Sequence, residues 1–105
     1  MGYARLDLIY IVSKIAEAAI RSAAGLSYSL DDMPQSVKEA AAAIVATVSE
    51  QIAVEDDRIL RCRICGKGPF TRKGLYLHVR RVHLDTIYDM VRRELETYLW
   101  RTKNI

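Results

Sequence analysis

Apolar side chains recur at three- and four-residue steps along the first stretch of the chain: Leu8, Val12, Ile15, Ala19 and Ala23. That period puts them on one face of an α-helix. Ile9, Ile11 and Ile20 widen the face beyond a narrow stripe, so more than one neighbour must cover it. Gly25 suits a left-handed helix end, and Leu26 to Met33 reads as a connection. Asp31 or Asp32 ahead of Pro34 is a helix start. A second predicted helix runs from about Pro34 to Val54, with Val37, Ala41, Ile44, Val48 and Ile52 as its apolar seam. Ala40 to Ala43 allow another backbone to approach closely.

Two such helices joined by a short turn predict an antiparallel hairpin. A hairpin this apolar cannot bury its faces alone. The expected completion is the same hairpin from a second chain, giving a homodimeric bundle; the alternative is a C-terminal helix of the same chain. That helix is predicted beyond residue 83, where Leu84, Ile87 or Tyr88, Val91, Leu95 and Tyr98 form another seam and Trp100 is a late anchor. Asp89 and Arg93 are spaced for an i,i+4 pair. Asp85-Thr86 either starts this helix afresh or lies within a longer continuous one.

The chain has 105 residues, 50% of them apolar and 28% charged, with five glycines, two prolines and two cysteines. This suits one compact domain or a helical piece plus a small module. It excludes a barrel enzyme and leaves too few turn residues for a loop-rich β fold. Two cysteines are too sparse for a secreted, disulfide-stapled scaffold. Lys14, Glu17 and Arg21 interrupt the apolar stretch of the first helix, which argues against a membrane span. The expectation is an intracellular protein with reduced thiols.

The net charge of +3 conceals a division. Residues 1–57 carry four bases against nine acids, a net −5, and residues 58–105 carry twelve bases against four acids, a net +8. Glu55-Asp56-Asp57 marks the change. A basic half of this size suits a polyanionic partner.

The chemistry-bearing stretch lies just past that boundary. Cys62 and Cys65 are separated by two residues, twelve more precede His78, and four lie between His78 and His83. Two cysteines across a tight knuckle and two histidines about one helical turn apart can close a tetrahedron around one zinc ion. Leu75 and Phe70 are placed to pack beneath the metal, and Gly66-Lys67-Gly68-Pro69 is the expected turn between two short strands. Residues 61–84 thus resemble a C2H2-type zinc finger, although Phe70 stands one residue later than that family usually has it. The resemblance implies a ββα module with one structural zinc. Four protein donors leave no open position for water or substrate, so no enzymatic activity is expected. Compact single-finger chains of this kind are similar to those of archaea and their viruses or plasmids.

In that family the finger helix enters the DNA major groove, with positions −1, 3 and 6 toward the bases. The resemblance puts Thr71, Gly74 and Leu77 there, a set without the arginine or asparagine that carries most base readout. Arg61, Arg63, Lys67, Arg72, Lys73, Arg80 and Arg81 are better suited to phosphates, which give affinity without sequence information. Arg92, Arg101 and Lys103 could extend the basic surface.

The expected class is therefore mainly α: an antiparallel, dimeric helical hairpin (1–57), a zinc finger (58–84) and a C-terminal helix (85–105). The expected function is a dimeric DNA-binding regulator or architectural factor. RNA shares the same phosphate chemistry, and a protein-interaction adaptor is the competing reading.

Overall fold

The computed structural model describes residues 3–103, and the side chains of 8–101. Its elements are α1 (Tyr3–Ala23), α2 (Gln35–Ile52), β1 (Ala53–Asp56), β2 (Ile59–Cys62), α3 (Arg72–Val82) and α4 (Leu84–Lys103). The Lys103 side chain lies outside the described residues.

Helix α1 stops as expected. Gly25 takes φ +75°, its N–H donates to the Ser22 carbonyl at 3.0 Å, and Leu26 N–H donates to the Arg21 carbonyl at 2.8 Å. This paired closure needs a left-handed residue, and glycine adopts it without a Cβ clash.

Beyond Gly25 the chain departs from the expected hairpin. The connection at 24–34 doubles back along α1 instead of turning tightly. Leu26 and Leu30 pack against the core and Met33 is buried in it. Asp32 accepts a hydrogen bond from the Tyr10 hydroxyl at 2.9 Å and pairs with Lys14 at 2.7 Å. These anchors start α2 beside the middle of α1, so both helices point their C-terminal ends at the cysteine–histidine module. Asp32 is consequently not a helix cap: Pro34 occupies the cap position of α2, with no side-chain hydrogen bond there.

Helix α2 ends at Ile52, two residues short of the expected Val54, because the chain turns into β1. β1 and β2 pair antiparallel, with Asp56 opposite Ile59. The two residues between them, Asp57 and Arg58, have φ of +53° and +68°. A two-residue hairpin loop with both φ values positive matches the twist of its strands. The acidic run that marks the change of charge is thus the end of a strand and the tip of a hairpin.

The apolar face of α1 and α2 is covered by α4 of the same chain. Ile15 and Ile20, Val45, Val48 and Ile52, and Ile87, Val91 and Leu95 are buried in one core. The need that motivated a second hairpin is met within the chain. Leu60 and Cys62 of β2 and Leu75 and Val79 of α3 are buried in the same core, so the small module is built onto the helices. Trp100, expected as a late anchor, is 66% exposed.

Glu17 fastens the module to α1. Its carboxylate accepts hydrogen bonds from the Tyr76 hydroxyl at 2.6 Å, from Arg21 at 2.8 Å and from Arg80. The Arg21 guanidinium also lies over the Tyr76 ring, 5.1 Å from its centre. Burial pushes the Glu17 carboxyl up, but the hydrogen bonds from Tyr76, Arg21 and Arg80 outweigh it and hold the group below its ordinary value.

A carboxylate with a depressed folded pKa stabilises the fold above its unfolded value, and that stability is lost as pH falls through the folded one. Glu17→Gln should cost about 1–3 kcal/mol at pH 7 in urea unfolding. The difference from the unaltered chain should shrink as the pH drops below about 4.5. Equal stability of the two proteins at pH 7 would show that the cluster does not fasten the module.

Candidate metal centre

The site begins at the end of β2. Cys62 is buried, its N–H donates to the Lys67 carbonyl at 2.9 Å, and its carbonyl accepts from Gly66 N–H at 2.8 Å. Gly66, at φ +79°, closes this knuckle and turns Cys65 back toward Cys62. The return segment then brings Phe70 beside β2, where its N–H donates to the Leu60 carbonyl at 2.8 Å. That is a single bridge, so the Gly66–Pro69 segment does not join two full strands as expected. The paired strands lie on the other side of β2.

Helix α3 starts with Thr71 as its N-cap, the hydroxyl oxygen accepting from Gly74 N–H at 2.9 Å. Leu75 and Val79 anchor it in the core, and His78, one turn on from Leu75, faces the knuckle. The Phe70 ring stacks on His78, 4.7 Å between centres.

Four residues separate His78 from His83. In a continuous α-helix a five-residue step rotates a side chain by about 140°, away from its partner. The chain resolves this by ending α3 at Val82. His83 leaves the helical conformation, at φ −119° and ψ 13°, while its N–H still donates to Val79. The His83 carbonyl accepts from Ile87 N–H at 3.0 Å, so α4 starts afresh from the same residue. The imidazole rings of His78 and His83 meet edge to face, 5.0 Å apart.

The donor atoms of Cys62, Cys65, His78 and His83 all lie within 4.8 Å of one another, and Cys65 Sγ is 3.3 Å from His78 Nε2. Metal–sulfur and metal–nitrogen bonds of zinc length imply tetrahedral edges of about 3.3–3.8 Å. His83 Nε2 is buried without a hydrogen-bond partner; in the tautomer protonated at Nδ1 it presents a lone pair that an ion would satisfy. Burial, with His78 and Lys67 nearby, lowers the His83 pKa and favours the neutral, ligating form. Burial pushes the Cys62 thiol up, so binding of an ion must displace its proton. The residues fit a four-coordinate ion, consistent with a structural zinc.

The expected phosphate contacts fall into two groups. Arg63, Arg72 and Arg80, although exposed, are engaged within the fold: Arg63 donates to the Glu50 carbonyl at 3.0 Å, Arg72 to the Gly25 carbonyl at 2.9 Å, and Arg80 to Glu17. The Arg72 guanidinium fills the space a Cβ on Gly25 would need. Arg61, Lys67, Lys73 and Arg81 are exposed and have no ion pair within 4.0 Å among the described residues. Arg58 at the hairpin tip joins that second group, and its place as the first base after the acidic run was its sequence signal. Of the three positions implied to read bases, Thr71 caps the helix, Gly74 offers only backbone, and Leu77 is half-buried.

No protein-family model, curated protein or solved structure matches this chain. The fold and site together define a mainly helical protein bearing a Cys2His2-like cluster that could hold a metal ion.

Because the cluster shares the core with α1, α2 and α4, loss of the ion should reach the whole fold. Binding energies in finger peptides are roughly 10–16 kcal/mol, so stripping the ion from the intact protein should lower the melting temperature by on the order of 10 °C or more. Cys62→Ser should match the stripped protein. Metal affinity should fall as pH is lowered, since protons compete for the thiolates and imidazoles. An unchanged melting curve after verified metal removal would contradict a structural ion.

Proposed function

We propose that the ion is zinc, that its role is structural, and that the module it organises binds the phosphate backbone of nucleic acid, with double-stranded DNA as the substrate. The observation that carries this reading is the division of the bases. Three arginines are spent holding the module to the helices, while Arg58, Arg61, Lys67, Lys73 and Arg81 remain exposed and unpaired among the described residues. Of these five, only Arg58 stands next to acids in the chain, beside Asp56 and Asp57 at the hairpin tip; Arg61, Lys67, Lys73 and Arg81 lie in a stretch, 58–84, that contains no acid.

The poverty of the base-reading positions supports backbone binding over sequence readout. Thr71, Gly74 and Leu77 offer no bidentate donor–acceptor pair for a base edge. The activity best matched to these features is architectural or regulatory binding with low sequence preference. Four protein donors leave no coordination site for a reactant, so catalysis is not part of the proposal. The adaptor reading draws on the arginines engaged within the fold, which leave fewer bases for a polyanion and present the finger to a protein partner.

A salt titration separates the two. About four or five phosphate contacts imply a slope of log affinity against log salt of about −4 for duplex DNA. Replacing Lys73 and Arg81 together by alanine should weaken binding to all duplexes alike and reduce the slope by about two. Thr71→Ala and Leu77→Ala should leave relative affinities among sequences unchanged. No binding to duplex at low salt would remove the nucleic-acid reading and favour the adaptor, and stronger binding to structured RNA would reassign the polyanion.

A further inference from the structure

The buried stripe of α1 does not stop where its covering ends. It runs from Ile20 through Ala19, Ala16 and Ile15, all buried, to Val12, which is half-buried, and on to Leu8 and Ile9, which are 40% and 61% exposed. α4 flanks these residues, with Tyr88 37% exposed. Together Leu8, Ile9, Val12 and Tyr88 wall a groove of about 310 Å³ whose rim carries Asp85, Asp89 and Arg92. An apolar face continuous with the core and rimmed by charge marks an interaction surface.

The rim identifies the occupant. Asp85, Tyr88, Asp89 and Arg92 recur at three- and four-residue steps and so share one face of α4. Asp85 is exposed and has no ion pair among the described residues. Arg92 bonds Asp89 at 2.7 Å and lies 3.8 Å from the exposed Glu96 carboxylate, but Arg93 bonds the same Asp89 carboxylate at 2.6 Å. Asp89 therefore keeps a cation if Arg92 turns to another acid. Laying a second α4 antiparallel on the first, with a two-fold axis between Tyr88 and Asp89, puts each Asp85 opposite the other copy's Arg92. A rim with one free carboxylate and one transferable guanidinium, seven residues apart, is complementary to itself. A uniformly acidic or uniformly basic partner would leave half of it unmatched.

We propose that this groove is a self-association surface, in which two copies of the chain pack through the start of α4 and the exposed end of the α1 stripe about a two-fold axis. An isologous contact of this kind closes on itself and gives dimers without filaments. It differs from the dimer expected from the sequence, which joined α1–α2 hairpins. It stands independently of any nucleic-acid binding, although a dimer would present two basic modules to one duplex and raise affinity through effective concentration.

The test is sedimentation equilibrium of the full, metal-loaded protein from a few micromolar to several hundred micromolar. The unaltered chain should rise from the mass of one chain toward twice that mass. Asp85→Lys and Arg92→Glu should each sediment as single chains across this range, with helical content unchanged by circular dichroism. Their equimolar mixture should recover the doubled mass, because a mixed pair places opposite charges at both contacts. Ile9→Glu, at an exposed position, should also abolish association, and mixing should not rescue it. The proposal is overturned by a single-chain mass throughout for the unaltered protein, by failure of the charge mixture to recover, or by normal association of the Ile9→Glu chain.

Discussion

The fold turns on the convergence of four metal donors drawn from three places: Cys62 at the end of β2, Cys65 in the knuckle, and His78 and His83 on either side of a helix break. A tetrahedral ion fixes distances among its donors to within a few tenths of an ångström. Here the donor spacing coincides with more than a local loop. With four residues between the histidines a continuous helix would turn them apart; α3 ends at Val82 and α4 starts afresh at Leu84. Helix α4 carries Ile87, Val91 and Leu95 onto the helices of the first half. The donor spacing thus participates in building the main core.

This arrangement changes the meaning of the small module. An isolated finger substitutes a metal for a hydrophobic core it is too short to make. In this chain Leu75 and Val79 reach a core made by three long helices, and a polar clamp around Glu17 holds the orientation. The module is fastened to α1 and α2 by polar contacts as well as by the shared core. The mounting consumes Arg63, Arg72 and Arg80. Arg58, Arg61, Lys67, Lys73 and Arg81 are exposed and make no ion pair among the described residues.

Much of the site was legible in the sequence because metal spacing is written locally. Cys62, Cys65, His78 and His83 come together as expected, with Leu75 beneath and Phe70 against His78. The apolar seams of α1, α2 and α4 were equally readable. The relative direction of α1 and α2 was not. It depends on Leu26, Leu30 and Met33, which look like loop residues until they are seen filling the core, and on Asp32 reaching back to Tyr10 and Lys14. The roles of the arginines were also hidden, because Glu17 lies 63 residues from Arg80 in sequence. Its signal was a carboxylate set four residues before Arg21 in an otherwise apolar helix. The end of α2 was misread because strand β1 alternates too briefly to stand out from a fraying helix.

A structural ion requires Cys62, Cys65, His78 and His83 to form one closed, four-coordinate site. Anaerobic titration of the metal-free protein with cobalt(II), followed by visible absorption, probes that coordination without intermediaries. A closed site of two thiolates and two imidazoles should give the strong ligand-field absorption of a tetrahedral ion, with a thiolate charge-transfer band, saturating at one ion per chain and lost when zinc is added. The weak absorption of an octahedral ion, or saturation at another stoichiometry, would rule such a site out.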